Sequence, residues 1–279
     1  MELKMKLKGL YSFFCAEFEN KGIERSDLDW IICEVLDIRR SEIPLMQEVT
    51  KNQFNKIVNI AHKRLKGKPI DRIFRKREFY GRCFRLSHKV LSPRTETELL
   101  CECVLQNTNE KVKLLEIGTG SGAIAITLKK EKPSVEVVAS DVSSGALKMA
   151  KRNADALNAD IRFVKSFLFE KFKGESFDVI VSNPPYIPTA ELLNLDNEVK
   201  KFDPRLALDG GADGLFFYKE IINCAREHLN TGGKIFFEIG RTQAKDVKKL
   251  LEKDFCDITV CKDYSGNDRI VWAKLKEIV

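Results

Sequence analysis

From Val112 onward the chain repeats one pattern: a short apolar run, a loop, then a stretch with helical spacing. The runs are Val112–Ile117, Ser134–Ser140, Phe177–Ser182 and Lys234–Ile239, and helical stretches such as Ala146–Leu157 and Phe216–Leu229 lie between them. Apolar runs that alternate with helices are the pattern of a parallel sheet buried on both faces. An α/β domain is therefore predicted, with its ligands at the carboxyl ends of the strands.

The chain before this point is built differently. Its first ~70 residues read as helices. Ser26 followed by Asp29, and Thr50 followed by Gln53, read as helix starts, and the second fits a capping box. After Thr50, Phe54, Ile57, Val58, Ala61 and Leu65 fall on one helical face. This region has no glycine loop and no cluster of catalytic side chains, so packing or recognition is its expected role. Gly67-Lys68-Pro69 breaks the helix, and Phe79, Tyr80, Phe84, Leu86 and Val90 around Gly81 predict a β-hairpin. Thr95 with Glu98 repeats the capping-box pattern ahead of Leu99 and Leu100.

Composition excludes several classes. With 43% hydrophobic and 32% charged residues the chain can build a core, which argues against general disorder. No stretch approaches the roughly 18 apolar residues that cross a bilayer. Acids from Glu17 to Glu24 interrupt the apolar run near the N-terminus, so a secretory signal is not expected. The eight cysteines contain no CxxC pair, and His62, His88 and His228 are far apart. Neither a metal site nor a disulfide framework is expected, and the chain reads as a reduced, cytoplasmic protein with no membrane association. The net charge of +7 is concentrated: Ile60 to Val90 holds eleven Lys/Arg against two acids. Such a stripe suits an acidic protein surface or a phosphate backbone, and a solvated linker face is the alternative.

Two motifs carry chemistry. Glu116-Ile117-Gly118-Thr119-Gly120-Ser121-Gly122 ends a strand and opens a helix, and its glycines let backbone approach a ligand closely. The GxGxG spacing differs from that of dinucleotide binders, and no GK[ST] follows, which disfavours a P-loop. Asp141, at the end of the next apolar run, can accept both hydroxyl hydrogens of a ribose. Glycine loop and acid together point to a nucleoside cofactor.

The second motif is Asn183-Pro184-Pro185-Tyr186, directly after Phe177–Ser182. Two prolines fix φ and remove two backbone donors, so the turn is stiff and presents carbonyls. An amide nitrogen is a poor nucleophile because its lone pair is delocalised. A site that alkylates one must accept both N–H bonds so that the lone pair points at the electrophile. The Asn183 side-chain oxygen and the Pro184 carbonyl can supply those acceptors, and Tyr186 can pack on the flat amide and exclude water.

Together these motifs resemble the class I S-adenosylmethionine-dependent methyltransferases that modify planar nitrogens. The wider match resembles the HemK/PrmC family, the release-factor glutamine methyltransferases. It runs through Glu78-Phe79-Tyr80-Gly81, Pro93 to Glu98, Glu116 to Ala125, Asp141-Val142-Ser143 and the NPPY turn. It continues through Pro204 to Gly211, Glu238-Ile239-Gly240 with Gln243, and Gly266-Asn267-Asp268-Arg269. Thr95 stands where the family usually has a second proline, and Phe167 where an acid is common.

The resemblance implies an α/β architecture: a seven-stranded Rossmann-like methyltransferase domain over 93–279, a helical bundle for substrate recognition over 1–72, and a β-hairpin linker over 73–92. It implies methylation of the side-chain amide of the glutamine in the Gly-Gly-Gln motif of bacterial class I peptide chain release factors. The implied cofactor is S-adenosyl-L-methionine, leaving S-adenosyl-L-homocysteine. Gly118, Thr119, Gly120, Ser121, Gly122, Asp141, Leu168 and Asn183 are implied to hold it. Asn183, Pro184, Pro185 and Tyr186 are implied to hold the glutamine, with Asn183, Pro184 and Tyr186 catalytic. A monomer without a stable nucleic-acid complex is expected. Adenine, guanine and a ribosomal-protein glutamine present the same planar NH₂ group and remain alternatives, as does a non-catalytic module that keeps the cofactor fold. A DNA enzyme would usually need an added target-recognition domain and would flip its base.

Overall fold

The computed structural model describes residues 4–277 and divides into two units, Met1–Arg75 and Lys76–Val279. In the first unit, strand β1 (Lys4–Lys6) leads into α1 (Leu7–Asn20) and α2 (Arg25–Leu36). A 3₁₀ turn (Arg40–Leu45) follows, then β2 (Glu48–Thr50), α3 (Lys51–Leu65) and the short α4 (Ile70–Phe74). Leu7, Leu10, Phe14 and Phe18 recur every three or four residues along α1 and are buried against Ile31 of α2 and Ile57 of α3. The Thr50 hydroxyl accepts from the Gln53 amide while the Gln53 side chain accepts from the Thr50 amide, so the expected capping box forms. Helix α2 departs from expectation. It begins at Arg25, and Ser26 lies inside its first turn with its hydroxyl donating to Glu24. Strands β1 and β2 pair as an antiparallel ribbon, whose three-residue strands leave no periodicity in the sequence.

The second unit opens with the expected hairpin, β3 (Lys76–Phe79) and β4 (Arg82–Arg85). Tyr80 and Gly81 between them both have positive φ, the geometry of a two-residue turn that follows the twist of paired strands. Then come α5 (Glu96–Asn107), β5 (Lys113–Ile117), α6 (Ala123–Glu131), β6 (Glu136–Asp141), α7 (Ser144–Leu157), β7 (Arg162–Lys165) and β8 (Phe177–Ser182). The remainder is α8 (Asn197–Phe202), α9 (Phe216–His228), β9 (Leu229–Glu238), α10 (Ala244–Leu251), β10 (Phe255–Lys262) and β11 (Asp268–Leu275).

The seven strands β5–β11 form one sheet in the order β10-β11-β9-β8-β5-β6-β7. Strands β9, β8, β5, β6 and β7 are parallel, as expected, whereas β11 lies antiparallel between β9 and β10. The sheet is therefore mixed. The physical reason is local: β10 and β11 are joined by only Asp263–Asn267, and a parallel pair needs a crossover of about a dozen residues. Both faces are covered. Leu115, Ile180 and Phe237 bury against α9, while Leu114, Val179 and Phe236 bury against α5 and α6.

Strand register positions the site. Ile117 is level with Ser140 on one side and with Ser182 on the other, and Ser182 is level with Phe237. One residue further, Asp141, Gly118, Asn183 and Glu238 emerge together at the carboxyl edge of the sheet.

Candidate active site

At that edge lies a cleft of about 520 Å³, within the roughly 300–1,000 Å³ usual for small-molecule sites. Gly118 to Ser121, Asp141, Leu168, Asn183, Pro184 and Pro185 all line it. Gly122 does not. It carries the turn into α6, where an added Cβ would fall 2.9 Å from Ile126 and 3.2 Å from Ala150. Tyr186 is also outside the lining. Its partly buried ring packs against the hydrophobic core beside Gly240. Burial and the nearby Glu238 push its hydroxyl up to about 12, so it remains a neutral phenol.

The glycine loop takes its shape from backbone that only glycine adopts easily. Gly118, Gly120 and Gly122 all have positive φ, and a Cβ on Gly118 or Gly120 would meet nothing within 4 Å. Backbone at those two positions thus faces open cleft. Buried Asn153 of α7 donates to the Ser121 carbonyl at 2.8 Å and exchanges hydrogen bonds with the Arg85 backbone, anchoring the loop to the hairpin. The Ser140 and Ser182 hydroxyls donate to the Glu116 and Ile117 carbonyls, tying β5 to its neighbours just below the loop.

The carboxylates have separate environments. Asp141 accepts from the Gly120 amide at 2.9 Å and from the Ser143 amide at 2.8 Å, yet burial still raises its proton affinity. Glu116, almost fully buried, accepts from the Thr119 hydroxyl at 2.5 Å and the Ala125 amide at 3.1 Å. Burial pushes it up to about 8, and the negative Asp141 adds to that rise. On the far wall Leu168 holds a positive φ of 45°, a strained conformation for a branched residue. The Ser166 hydroxyl, which donates to the Leu168 carbonyl and accepts from the Lys171 amide, braces that turn.

The NPPY turn is held on both sides. Gln243 donates to the Tyr186 carbonyl at 3.0 Å and to the Gly214 carbonyl at 3.1 Å, and accepts from the Gly240 amide. Ile187 and the segment Leu208–Gly210 exchange backbone hydrogen bonds as a short parallel bridge. A Cβ on Gly210 would lie 2.8 Å from Tyr186 backbone, so this segment must carry glycine there. Arg94 donates to Asp203 at 2.6 Å, pinning the start of the Pro204–Ala207 rim of the cleft. Asn183 donates from Nδ2 to the Thr97 hydroxyl at 3.2 Å, and Thr97 donates to Glu238 at 2.6 Å.

Thr97 and Glu238 had appeared in the sequence only as parts of a family pattern. The capping box expected at Thr95 and Glu98 does not form: the Glu98 carboxylate accepts from the Tyr80 amide in the hairpin turn, and Thr95 makes no side-chain cap. Among the described residues no group of three or more His, Cys, Asp and Glu is placed to hold a metal ion, and no helix is long and apolar enough to cross a membrane.

Comparison with known proteins places this geometry. Residues 10–74 match the PrmC N-terminal domain, and residues 88–197 match the methyltransferase small domain. A release factor glutamine methyltransferase from Geobacter sulfurreducens is 37% identical over 260 residues, covering 91% of this chain and 92% of the relative. The chain belongs to the release factor glutamine methyltransferase family. A second member, from Bacillus cereus, is 36% identical and covers 92% of this chain and 95% of its own length. Among solved structures, a methyltransferase from Pyrococcus furiosus superposes with a TM-score of 0.55 at 23% identity, over 79% of this chain and 99% of that one, which supports the fold.

The family's cofactor is S-adenosylmethionine, and the residues present fit it. The cleft offers bare glycine backbone at Gly118 and Gly120, a carboxylate at Asp141 and apolar walls at Val142, Phe167 and Leu168. A nucleoside with a charged amino-acid tail needs that mixture of acceptors and apolar surface.

Proposed function

We propose that the enzyme methylates the side-chain amide nitrogen of the glutamine in the Gly-Gly-Gln motif of bacterial class I peptide chain release factors. The release factor as substrate follows the names of the relatives at 36–41% identity. The observation that carries the chemistry is that the NPPY turn and the glycine loop line one cleft. Bound S-adenosylmethionine supplies a methyl group on a sulfonium, an electrophile that needs no activation.

The chain's own residues do the rest. Asp141 would hold the ribose hydroxyls, Gly118 to Ser121 would lie against the cofactor's polar tail with Gly122 shaping their turn, and Leu168 would pack beside the adenine. With Nδ2 engaged by Thr97, Asn183 presents Oδ1 to the cleft beside the Pro184 carbonyl, to which no backbone N–H donates among the described residues. Those two oxygens accept the two N–H bonds of the target amide and turn its lone pair toward the methyl group. With the cofactor bound, attack would form the N–C bond as the C–S bond breaks, and the nitrogen would then lose its extra proton to water. Pro185 stiffens the turn. Tyr186 serves catalysis from behind, by holding the turn against the core.

The helical unit is taken to recognise the release factor, aided by exposed Lys63, Lys66 and Arg75 of the basic stripe. Action as a monomer in the cytoplasm is part of this reading, and the release-factor substrate supports the location. The test is mass spectrometry of release factor incubated with the enzyme and methyl-labelled cofactor. One added methyl on the Gly-Gly-Gln glutamine is expected, and its absence, or label on nucleic acid instead, would overturn the assignment.

A further inference from the structure

We infer that Thr97 and Glu238 are positioning residues for methyl transfer: by occupying the Thr97 hydroxyl hydrogen, the Glu238 carboxylate decides which end of the Asn183 amide faces the cleft. The inference rests on the reading of Asn183 as acceptor for the target amide.

A threonine hydroxyl has one hydrogen to give and lone pairs to receive. Thr97, 4% exposed, gives its hydrogen to Glu238 Oε2 at 2.6 Å. Toward Asn183 it can then act only as acceptor, so the Asn183 NH₂ must be the end that meets it, at 3.2 Å. The carbonyl end, Oδ1, is left for the cleft. The arrangement matters because the two ends have similar shape and opposite function. With Oδ1 outward the turn accepts an N–H of the target; with NH₂ outward it would oppose donor to donor and push the amide away.

Strand order builds the chain of contacts. Glu238 ends β9 beside β8, which ends in Ser182 just before Asn183, and Thr97 comes down from the first turn of α5 onto both. Glu238 is itself 2% exposed. Hydrogen bonding from Thr97 and Asn183 and the charge of Arg269 of β11 favour its charged form, while Glu96 of α5 opposes that form. Tyr186, Tyr218 of α9 and Cys101 of α5 are the other titratable groups within electrostatic reach. Burial outweighs the favourable partners and pushes Glu238 up to about 7.

Protonation therefore has a structural consequence near neutrality. A neutral Glu238 can donate to Thr97, which frees the Thr97 hydrogen for Asn183 and allows the amide to rotate end for end. Acid should thus reduce turnover by turning Asn183, without releasing cofactor.

The experiment compares Thr97→Val, Thr97→Ser, Glu238→Gln and Asn183→Ala in the full chain. Calorimetric titration with S-adenosylhomocysteine reports an intact fold and cofactor site. Thr97→Val is expected to lower kcat on release factor by about 10²-fold, with Kd for the product nucleoside within about threefold, because it loses orientation and not binding. Thr97→Ser keeps the hydroxyl and should recover most of that loss. Wild-type kcat should fall as pH drops through about 7, and Glu238→Gln should remove that limb. If Thr97→Val turns over at the wild-type rate while Asn183→Ala is inactive, the positioning role is wrong and the Asn183 assignment stands. If Asn183→Ala is itself fully active, the reading beneath it fails. Should Glu238→Gln fail to bind the nucleoside, the valine and serine pair still decides; an unchanged acid limb in a well-folded Glu238→Gln overturns the role of Glu238.

Discussion

The Gly120 amide donates to the Asp141 carboxylate at 2.9 Å, so the loop after β5 and the acid ending β6 set each other's position. Asp141, the proposed ribose acceptor, is thus also a brace for the glycine loop. Asp141→Ala is expected to cost about 1–3 kcal/mol of cofactor binding, the loss of charged hydrogen bonds to two hydroxyls. Isothermal calorimetry measures it, and undiminished affinity would remove Asp141 from the site.

Asn183→Ala separates binding from chemistry. In the proposed role the side chain orients the nucleophile, so turnover should fall by about 10²-fold or more while cofactor affinity changes little. Single-turnover methylation of release factor, set beside calorimetry, reads both. Equal losses in the two measurements would mean that Asn183 chiefly supports the cleft.

Stability should depend on pH through Glu116 and Glu238, whose carboxyls burial raises from 4.5 to about 8 and about 7. Between those values and 4.5 the folded chain holds protons that the unfolded chain has released. Their contribution is therefore complete at the acid end of that window and lost as pH rises through the folded values. Cofactor-free enzyme is expected to melt at higher temperature near pH 6 than near pH 8.5. Glu116→Gln should flatten the slope, and a melting temperature that climbs steadily with pH would contradict the assignment.

The basic stripe is less free than its sequence suggests. Arg64 is buried against Asp27 at 2.5 Å, Arg72 is buried, and Arg82 is paired with Glu131. Exposed Lys63, Lys66 and Arg75 are the better candidates for steering. Reversing all three should lower kcat/KM on intact release factor, with little effect on kcat, and the difference should shrink as salt rises. Stopped-flow association at two ionic strengths checks this; equal rates for both proteins would assign the charges another role.

The parts of the site legible in the sequence are those whose demand is local. Three glycines in five residues, an acid one strand later and two adjacent prolines each state a backbone requirement without reference to anything distant. Thr97 does not, since its partners lie 86 and 141 residues away and meet it only because β9 sits beside β8. The false cap at Thr95–Glu98 has the same origin: a local pattern suited Glu98 to the helix start, but the Tyr80 amide needed an acceptor more. Likewise the parallel sheet was legible from alternation, while its antiparallel edge was set by the brevity of one loop. Tyr186 shows the limit from the other side. A tyrosine beside such a turn reads as a surface for substrate, and its partly buried ring also packs against the core, a contact the tetrapeptide does not announce.

Gln243 gives the NPPY turn a different standing from the other motifs. One side-chain amide joins Tyr186, Gly214 and Gly240, segments that share no local sequence. The tetrapeptide is consequently not a portable part. Four residues transplanted after a strand of another protein would carry the stiffness of the prolines and none of this anchorage, and their carbonyls would point wherever the host allowed. An engineer moving this chemistry to a new scaffold must move the glutamine and the two glycine corners with it.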